Sequence, residues 1–208
     1  MQYYELATLT LPFGTAGKAG EGLAAFTADP AAKGRLLGAF TTDIGTLNRL
    51  IVLRGFADAA DLLVERRRTL ESASPFGCGA FLTEMALDSY APFPFLPPVD
   101  TATRGPVYEI RTYRMKTGGL PHTIAAWERA LPERSAFSPC RAAKYPPQPG
   151  ASSSQRSSAA RRSLRMVIYR SPCHIVVEYS SRFWLGRPRP WVIQAPVIAA
   201  VAPSQTSP

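Results

Sequence analysis

Histidine, cysteine and long apolar runs are all scarce in this 208-residue chain, and each scarcity removes a class of function. The two histidines, His122 and His174, give a zinc site little to draw on. Three cysteines, Cys78, Cys140 and Cys173, contain no C-x-x-C pair and are too scattered for a disulfide framework. Cys173 and His174 are adjacent, but neighbouring residues on a strand point to opposite faces and would not share one metal. Neither a metal nor a cofactor is therefore expected. No apolar run approaches the roughly 20 residues that span a bilayer. The opening Met1-Gln2-Tyr3-Tyr4-Glu5 has no basic region leading into an apolar one, so no secretory signal is expected and a cytoplasmic location is. Also missing are a Ser-His-Asp order, a P-loop and the Rossmann glycine fingerprint.

Acidic residues are missing from the last third. Residues 1–140 carry 14 Lys+Arg and 14 Asp+Glu, while residues 141–208 carry 10 basic residues and one acid, Glu178. The whole formal charge of +9 therefore belongs to the C-terminal segment. Its Arg161-Arg162 and Arg187-Pro188-Arg189 are dispersed among Ser and Pro and lie on no single helical face, which disfavours nucleic-acid binding.

What is present is a repeat. Tyr4-Glu5-Leu6-Ala7-Thr8 recurs as Tyr108-Glu109-Ile110-Arg111-Thr112, and each copy alternates as a half-buried strand does. A glycine-containing turn and a helical stretch follow each. In the second copy Pro121 opens the helix, where its missing N–H costs nothing, and Ile124, Trp127 and Leu131 fall on one buried face. In the first copy, Gly34 to Thr42 reads as a strand with Leu37, Ala39 and Thr41 on one face. Asp43-Ile44-Gly45 reads as a hairpin turn and Leu47 to Arg54 as a second strand. Asp58 is the expected N-cap of a helix running to about Glu71, with Phe56, Ala59, Ala60, Leu63 and Leu70 facing the sheet and Arg66-Arg67-Arg68 on a solvated face. Phe81 to Tyr90 supplies a fourth strand.

The order β-α-β-β-α-β is the ferredoxin-like motif of an α+β fold. The expected organisation is a first ferredoxin-like domain at 3–96 and a Pro-rich linker at 97–106. A second repeat begins at 107–143, giving a tandem duplication with an irregular second half. Residues 144–208 form a basic tail in which Ser, Pro and Arg supply 29 of the final 68 residues counted from 141. Short apolar runs interrupt it at Met166–Tyr169, Ile175–Tyr179 and Trp191–Ala202. Three accounts fit this tail: a partly disordered binding arm, a divergent second half, or an altered reading frame near residue 144, which is the most economical.

Tyr4-Glu5-Leu6, the segment Thr42-Asp43-Ile44-Gly45-Thr46-Leu47-Asn48, and Tyr108-Glu109-Ile110-Arg111-Thr112-Tyr113 resemble the NIPSNAP family of the dimeric α/β-barrel superfamily. The resemblance covers about residues 3–143. It implies ferredoxin-like units whose sheets pack face to face, in tandem or between subunits, and hence a homodimer through sheet faces. It also implies a His and a Trp further along the second hairpin strand, where this chain carries Val52 and Arg54.

Two functions follow from this reading. The first is protein interaction or binding of a small hydrophobic ligand without catalysis, with Tyr4, Asn48 and Tyr108 as ligand-cleft candidates. Asn48 has an alternative role in closing the hairpin through local backbone bonds. Tyr4 and Tyr108 have an alternative role as packing residues. The second function is a cofactor-independent monooxygenase-like enzyme. It needs a poised base, for which only Glu5, Glu84 and Glu109 are candidates, and only where their strands bury them.

Overall fold

Apolar residues on both sides of Tyr3–Thr10, Tyr4 and Leu6 on one and Ala7 and Leu9 on the other, let this strand bury both faces, and it becomes the centre of the N-terminal unit. The computed structural model describes residues 1–43, 45–99, 101, 107–114, 118–137, 140–145, 163–170 and 193–194. Within them the elements are β1 (Tyr3–Thr10), α1 (Ala16–Ala28), β2 (Arg35–Thr41), β3 (Arg49–Phe56), α2 (Ala59–Glu71), a single 3-10 turn (Pro75–Gly77) and β4 (Glu84–Pro92). There follow β5 (Val107–Arg114), α3 (Leu120–Phe137), β6 (Cys140–Tyr145), β7 (Ser163–Arg170) and β8 (Ile193–Gln194). This is a mixed α/β architecture in which each strand pairing is antiparallel.

The strands form one row, β2-β3-β1-β4-β6-β7-β5-β8. Its first half has the order 2-3-1-4 of a ferredoxin-like unit. The second half, 6-7-5-8, repeats that pattern. The halves join where Ala91 and Pro92 pair with Tyr145 and Lys144. At the far ends of the row β8 comes close to β2, so the sheet curls toward closure. The proline-rich stretch thus begins inside a strand. Proline is tolerated there because Pro92 is the last residue of β4. Within the basic segment, β7 takes in Met166–Tyr169 and β8 falls inside Trp191–Ala202. Ile175–Tyr179, and Ile44 of the expected hairpin turn, lie outside the described residues.

The sheet of the N-terminal unit has two apolar faces. On the inner face, Tyr4, Leu6, Leu37, Phe40, Ile51, Leu53 and Tyr90 form one buried cluster, with Met1, Val99, Tyr108 and Ile110 packed against it. On the helix face, Ala7, Leu9, Leu11, Leu50 and Val52 meet Ala19 and Leu23 of α1 together with Phe76 and Cys78. The Cys78 thiol donates to the Phe76 carbonyl at 3.1 Å. Where α1 crosses the 3-10 turn, the backbones of Gly22 and Gly77 touch: a Cβ on Gly22 would lie 2.2 Å from the Gly77 carbonyl oxygen, which leaves glycine as the residue that fits.

Three expectations about faces are corrected. In β2, a register shift between Leu36 and Gly38 breaks the alternation. Leu37 and Phe40 share the inner cluster, while Leu36 and Ala39 join the helix-side one. A bulge sets two residues against one, so Leu37 and Ala39 no longer share a face. In α2 the sheet-facing residues are Leu62, Glu65 and Thr69. Leu63, Val64 and Leu70 are instead exposed, at 62%, 52% and 60%, as are Ala59 and Ala60; of the expected set only Phe56 is buried. The reason is ionic and is given below. In α3, Pro121 occupies the second helical position, and Ile124, Trp127 and Leu131 are half-buried rather than core.

Asp58 caps α2 as expected, its carboxylate accepting the Asp61 N–H at 2.8 Å. Replacing Asp58 by Ala should therefore lower stability by about 1 kcal/mol in urea unfolding. Burial pushes the Cys78 thiol from its ordinary 9.0 up to about 11. The unfolded chain then loses this proton first as pH rises. Stability from this group is fully present below pH 9 and lost as pH climbs toward 11. Urea midpoints measured across that window should fall in the wild type and fall less steeply in Cys78→Ala.

Candidate functional site

Strand register fixes which side chains share the inner face. Across β2, β3, β1 and β4, one row reads Phe40, Ile51, Thr8, Ala86. The next row toward the hairpin end reads Thr42, Arg49, Thr10, Glu84, with the Thr42 N–H donating to the Arg49 carbonyl at 3.1 Å. In the other direction Leu53, Leu6 and Asp88 align, and beyond them Gly55, Tyr4 and Tyr90. The face is therefore aromatic at one end and polar at the other. Tyr108 of β5 lies over it, its ring 5.0 Å from that of Phe40.

On the helix face a polar cluster occupies what sequence reasoning took for apolar packing. Glu5 and Arg54 are direct cross-strand partners, and both are buried. The Arg54 Nη2 donates to Glu5 Oε1 and, at 3.3 Å, to Thr69 Oγ1; its Nη1 donates to Glu65 Oε1 at 2.7 Å. The second Glu5 oxygen accepts from Arg66 Nε and Nη2 at 3.0 and 2.8 Å. Glu65 also accepts from Arg68 Nε at 2.9 Å, Arg68 Nη2 at 2.8 Å and the Lys33 N–H at 2.9 Å. Hydrogen bonding to Glu65 raises the Arg68 guanidinium above its usual value. Aromatic rings close the cluster: the Arg54 guanidinium lies 4.6 Å from the Phe76 ring centre, and that of Arg68 3.8 Å from Phe26.

The three ligand-cleft candidates are not one site. Tyr4 is core, its hydroxyl accepting the Val99 N–H at 3.2 Å. Tyr108 packs on the same inner cluster. Asn48 lies beyond the other end of β1, exposed, at φ 58°, a left-handed conformation that Asn tolerates, and its carbonyl accepts the Leu11 N–H at 2.8 Å. Of the candidate acids, Glu5 is buried, Glu84 is exposed, and the Glu109 side chain lies outside the described residues. Arg66 and Arg68, expected on a solvated face, are ion-paired beneath α2, and only Arg67 is exposed. Arg54 was the missed residue. Its signal was a lone charge inside the apolar run Leu50-Ile51-Val52-Leu53. Among the described residues no group of His, Cys, Asp and Glu is placed to hold a metal ion.

Comparison with known proteins now adds to this geometry. The NIPSNAP family model matches residues 4–97. Those residues are a NIPSNAP domain. No curated protein matches the chain significantly. Among solved structures, a NIPSNAP-like domain protein from Burkholderia xenovorans is 24% identical, covering 50% of this chain and 95% of its own, with a TM-score of 0.39. A NIPSNAP family protein from Agrobacterium tumefaciens is 22% identical, covering 47% and 98%, with a TM-score of 0.38. A proposed monooxygenase from Lactobacillus acidophilus is 10% identical and covers 82% of this chain and 78% of its own, with a TM-score of 0.53. That last likeness concerns the fold alone, but it extends well past the NIPSNAP domain.

The ion cluster of the NIPSNAP domain makes a testable demand. Arg54→Met leaves Glu5 and Glu65 in the interior short of their central cation and should destabilise the protein by about 3–5 kcal/mol. Replacing all three together by apolar residues of similar volume should cost less than that single change. Urea unfolding of both variants checks the pair.

Proposed function

We propose that this chain is a NIPSNAP-domain protein that binds a small hydrophobic molecule without catalysing its conversion. The observation that carries the reading is the state of Glu5, the buried carboxylate among the candidate bases. Both of its oxygens are held, one by Arg54 and one by Arg66. A general base must reach the proton it removes, and a carboxylate locked between two guanidinium groups is not available for that. The inner face supplies the complementary feature, an aromatic cluster in which Phe40 and Tyr90 are buried and the half-buried Tyr108 packs on Phe40, so that an apolar molecule would lie along its edge at Tyr108.

In this reading the two four-stranded halves are tandem units of one chain, and the second half supplies the cover that a partner subunit would otherwise provide. β5 of the same chain already lies on part of the sheet face through which the sequence predicts a homodimer. Self-association would then use another surface. The reading keeps the protein in the cytoplasm; no helix among the described residues is long and apolar enough to cross a membrane.

The test is a fluorescence titration with N-phenyl-1-naphthylamine, a neutral probe that brightens in apolar surroundings. Saturable binding is expected, weakened at least about fivefold by Tyr108→Ala, as truncation of a central aromatic contact does. Absence of saturable binding would sink the reading. So would steady dioxygen consumption with a hydroquinone that disappears in Glu5→Gln, which would establish the oxygenase alternative instead.

A further inference from the structure

Arg49 is half-buried and, unlike Arg54, Arg66 and Arg68, has no side-chain partner for its guanidinium among the described residues. On β3, Leu50 and Val52 join the helix-side cluster while Ile51 and Leu53 join the inner one. Alternation therefore puts Arg49 on the inner face. Its Nε, like that of Arg54, is shielded from water and has no hydrogen-bond acceptor among the described residues, but Arg54 places both of its Nη atoms on acceptors. Among the same residues no carboxylate forms an ion pair with it. The nearest acid in its row, Glu84, is exposed and accepts instead from Thr10 Oγ1 at 3.5 Å. Directly across from Arg49, Thr42 Oγ1 accepts the Arg49 N–H at 3.2 Å, and its own hydroxyl proton has no acceptor among the described residues. Arg49 and Thr42 thus stand opposite each other in one row of the inner face, and the Arg49 Nε there has no acceptor among the described residues. A shielded donor without an acceptor is costly, and such groups mark a missing partner.

The surroundings define that partner. Phe40 pairs with Ile51, two residues from Arg49, so the backbone position that carries the Phe40–Tyr108 ring pair is about 7 Å of strand from the Arg49 position on the same face. A planar, five-donor guanidinium suits a carboxylate, and the rings suit an apolar body. We propose that the inner face binds a small amphipathic carboxylate, its anionic head on Arg49 and the Thr42 hydroxyl and its apolar body on Phe40 and Tyr108. This rests on the binding function proposed above and adds the class of ligand to it.

Matched probes separate the two ideas. Calorimetric titration would compare 2-naphthoate with 2-naphthamide, and octanoate with octanamide, on the full chain. The carboxylates should bind the wild type at least about tenfold tighter than the amides, as a charge-assisted contact to arginine requires. Arg49→Gln should erase that preference without lowering the melting temperature, and Arg49→Lys should keep part of it. Equal binding of acid and amide by the wild type would overturn the carboxylate assignment and leave the hydrophobic site standing, with water as the partner of Arg49. A preference that survives in Arg49→Gln would overturn the role of Arg49. Failure of every probe to bind would overturn both readings together.

Discussion

A buried arginine sets the terms for the N-terminal half of this molecule. Arg54 is 2% exposed, deep on β3, and a guanidinium in that position is tolerable only if its charge and its donors are met from within the protein. Glu5 meets it from the neighbouring strand, and Glu65 and Thr69 from the helix above. Each of those carboxylates is in turn buried and draws a further arginine from α2, Arg66 for Glu5 and Arg68 for Glu65. The cluster therefore grows outward until its last members reach water, with Arg66 and Arg68 at 26% and 20% exposure.

This requirement orients α2 against its own hydrophobicity. A helix on a sheet normally turns its leucines inward. Here the inward stripe must carry Glu65 and Thr69, so Leu63, Val64 and Leu70 are rotated to the outside. The rest of the layer follows. Phe76 takes a left-handed backbone, φ 54°, which is uncommon for an aromatic residue, and this sets its ring beneath the Arg54 guanidinium. Phe26 of α1 meets both that ring, at 5.6 Å, and Arg68. The close contact of Gly22 with Gly77 then follows from bringing the Phe76 turn so near to α1.

Local signals were legible in the sequence, and long-range ones were not. The strand β1, the cap at Asp58 and the ferredoxin-like order can be read because alternation, capping chemistry and turn residues act over a few positions. The face of α2 could not be read from periodicity, because periodicity assumes that apolar residues choose the buried side. In this chain a charge pairing across 49 residues of sequence overrides that choice. The bulge in β2 was hidden for a similar reason: the run Leu36-Leu37-Gly38-Ala39-Phe40 is small or apolar at each position, so its phase is set by the partner strand. Of the candidate residues, Tyr4 lies in the inner cluster and Tyr108 packs against it, while Asn48 terminates a hairpin at the opposite end of β1.

Arg49 and Arg54 make the same point about function within one strand. They are five residues apart, an odd number, so alternation sends them to opposite faces. The helix face gives its arginine two carboxylates, two aromatic rings and a threonine, which engage both Nη atoms and leave only the Nε without an acceptor among the described residues. Among the described residues no acid on the inner face pairs with Arg49, although Glu84 stands in the same row. Each arginine of the helix-face cluster has at least one carboxylate acceptor, with Arg66 and Arg68 each bridging back to a glutamate that already has another donor. Against that background an arginine left without a side-chain acceptor, beside an aromatic surface, has the character of a recognition group.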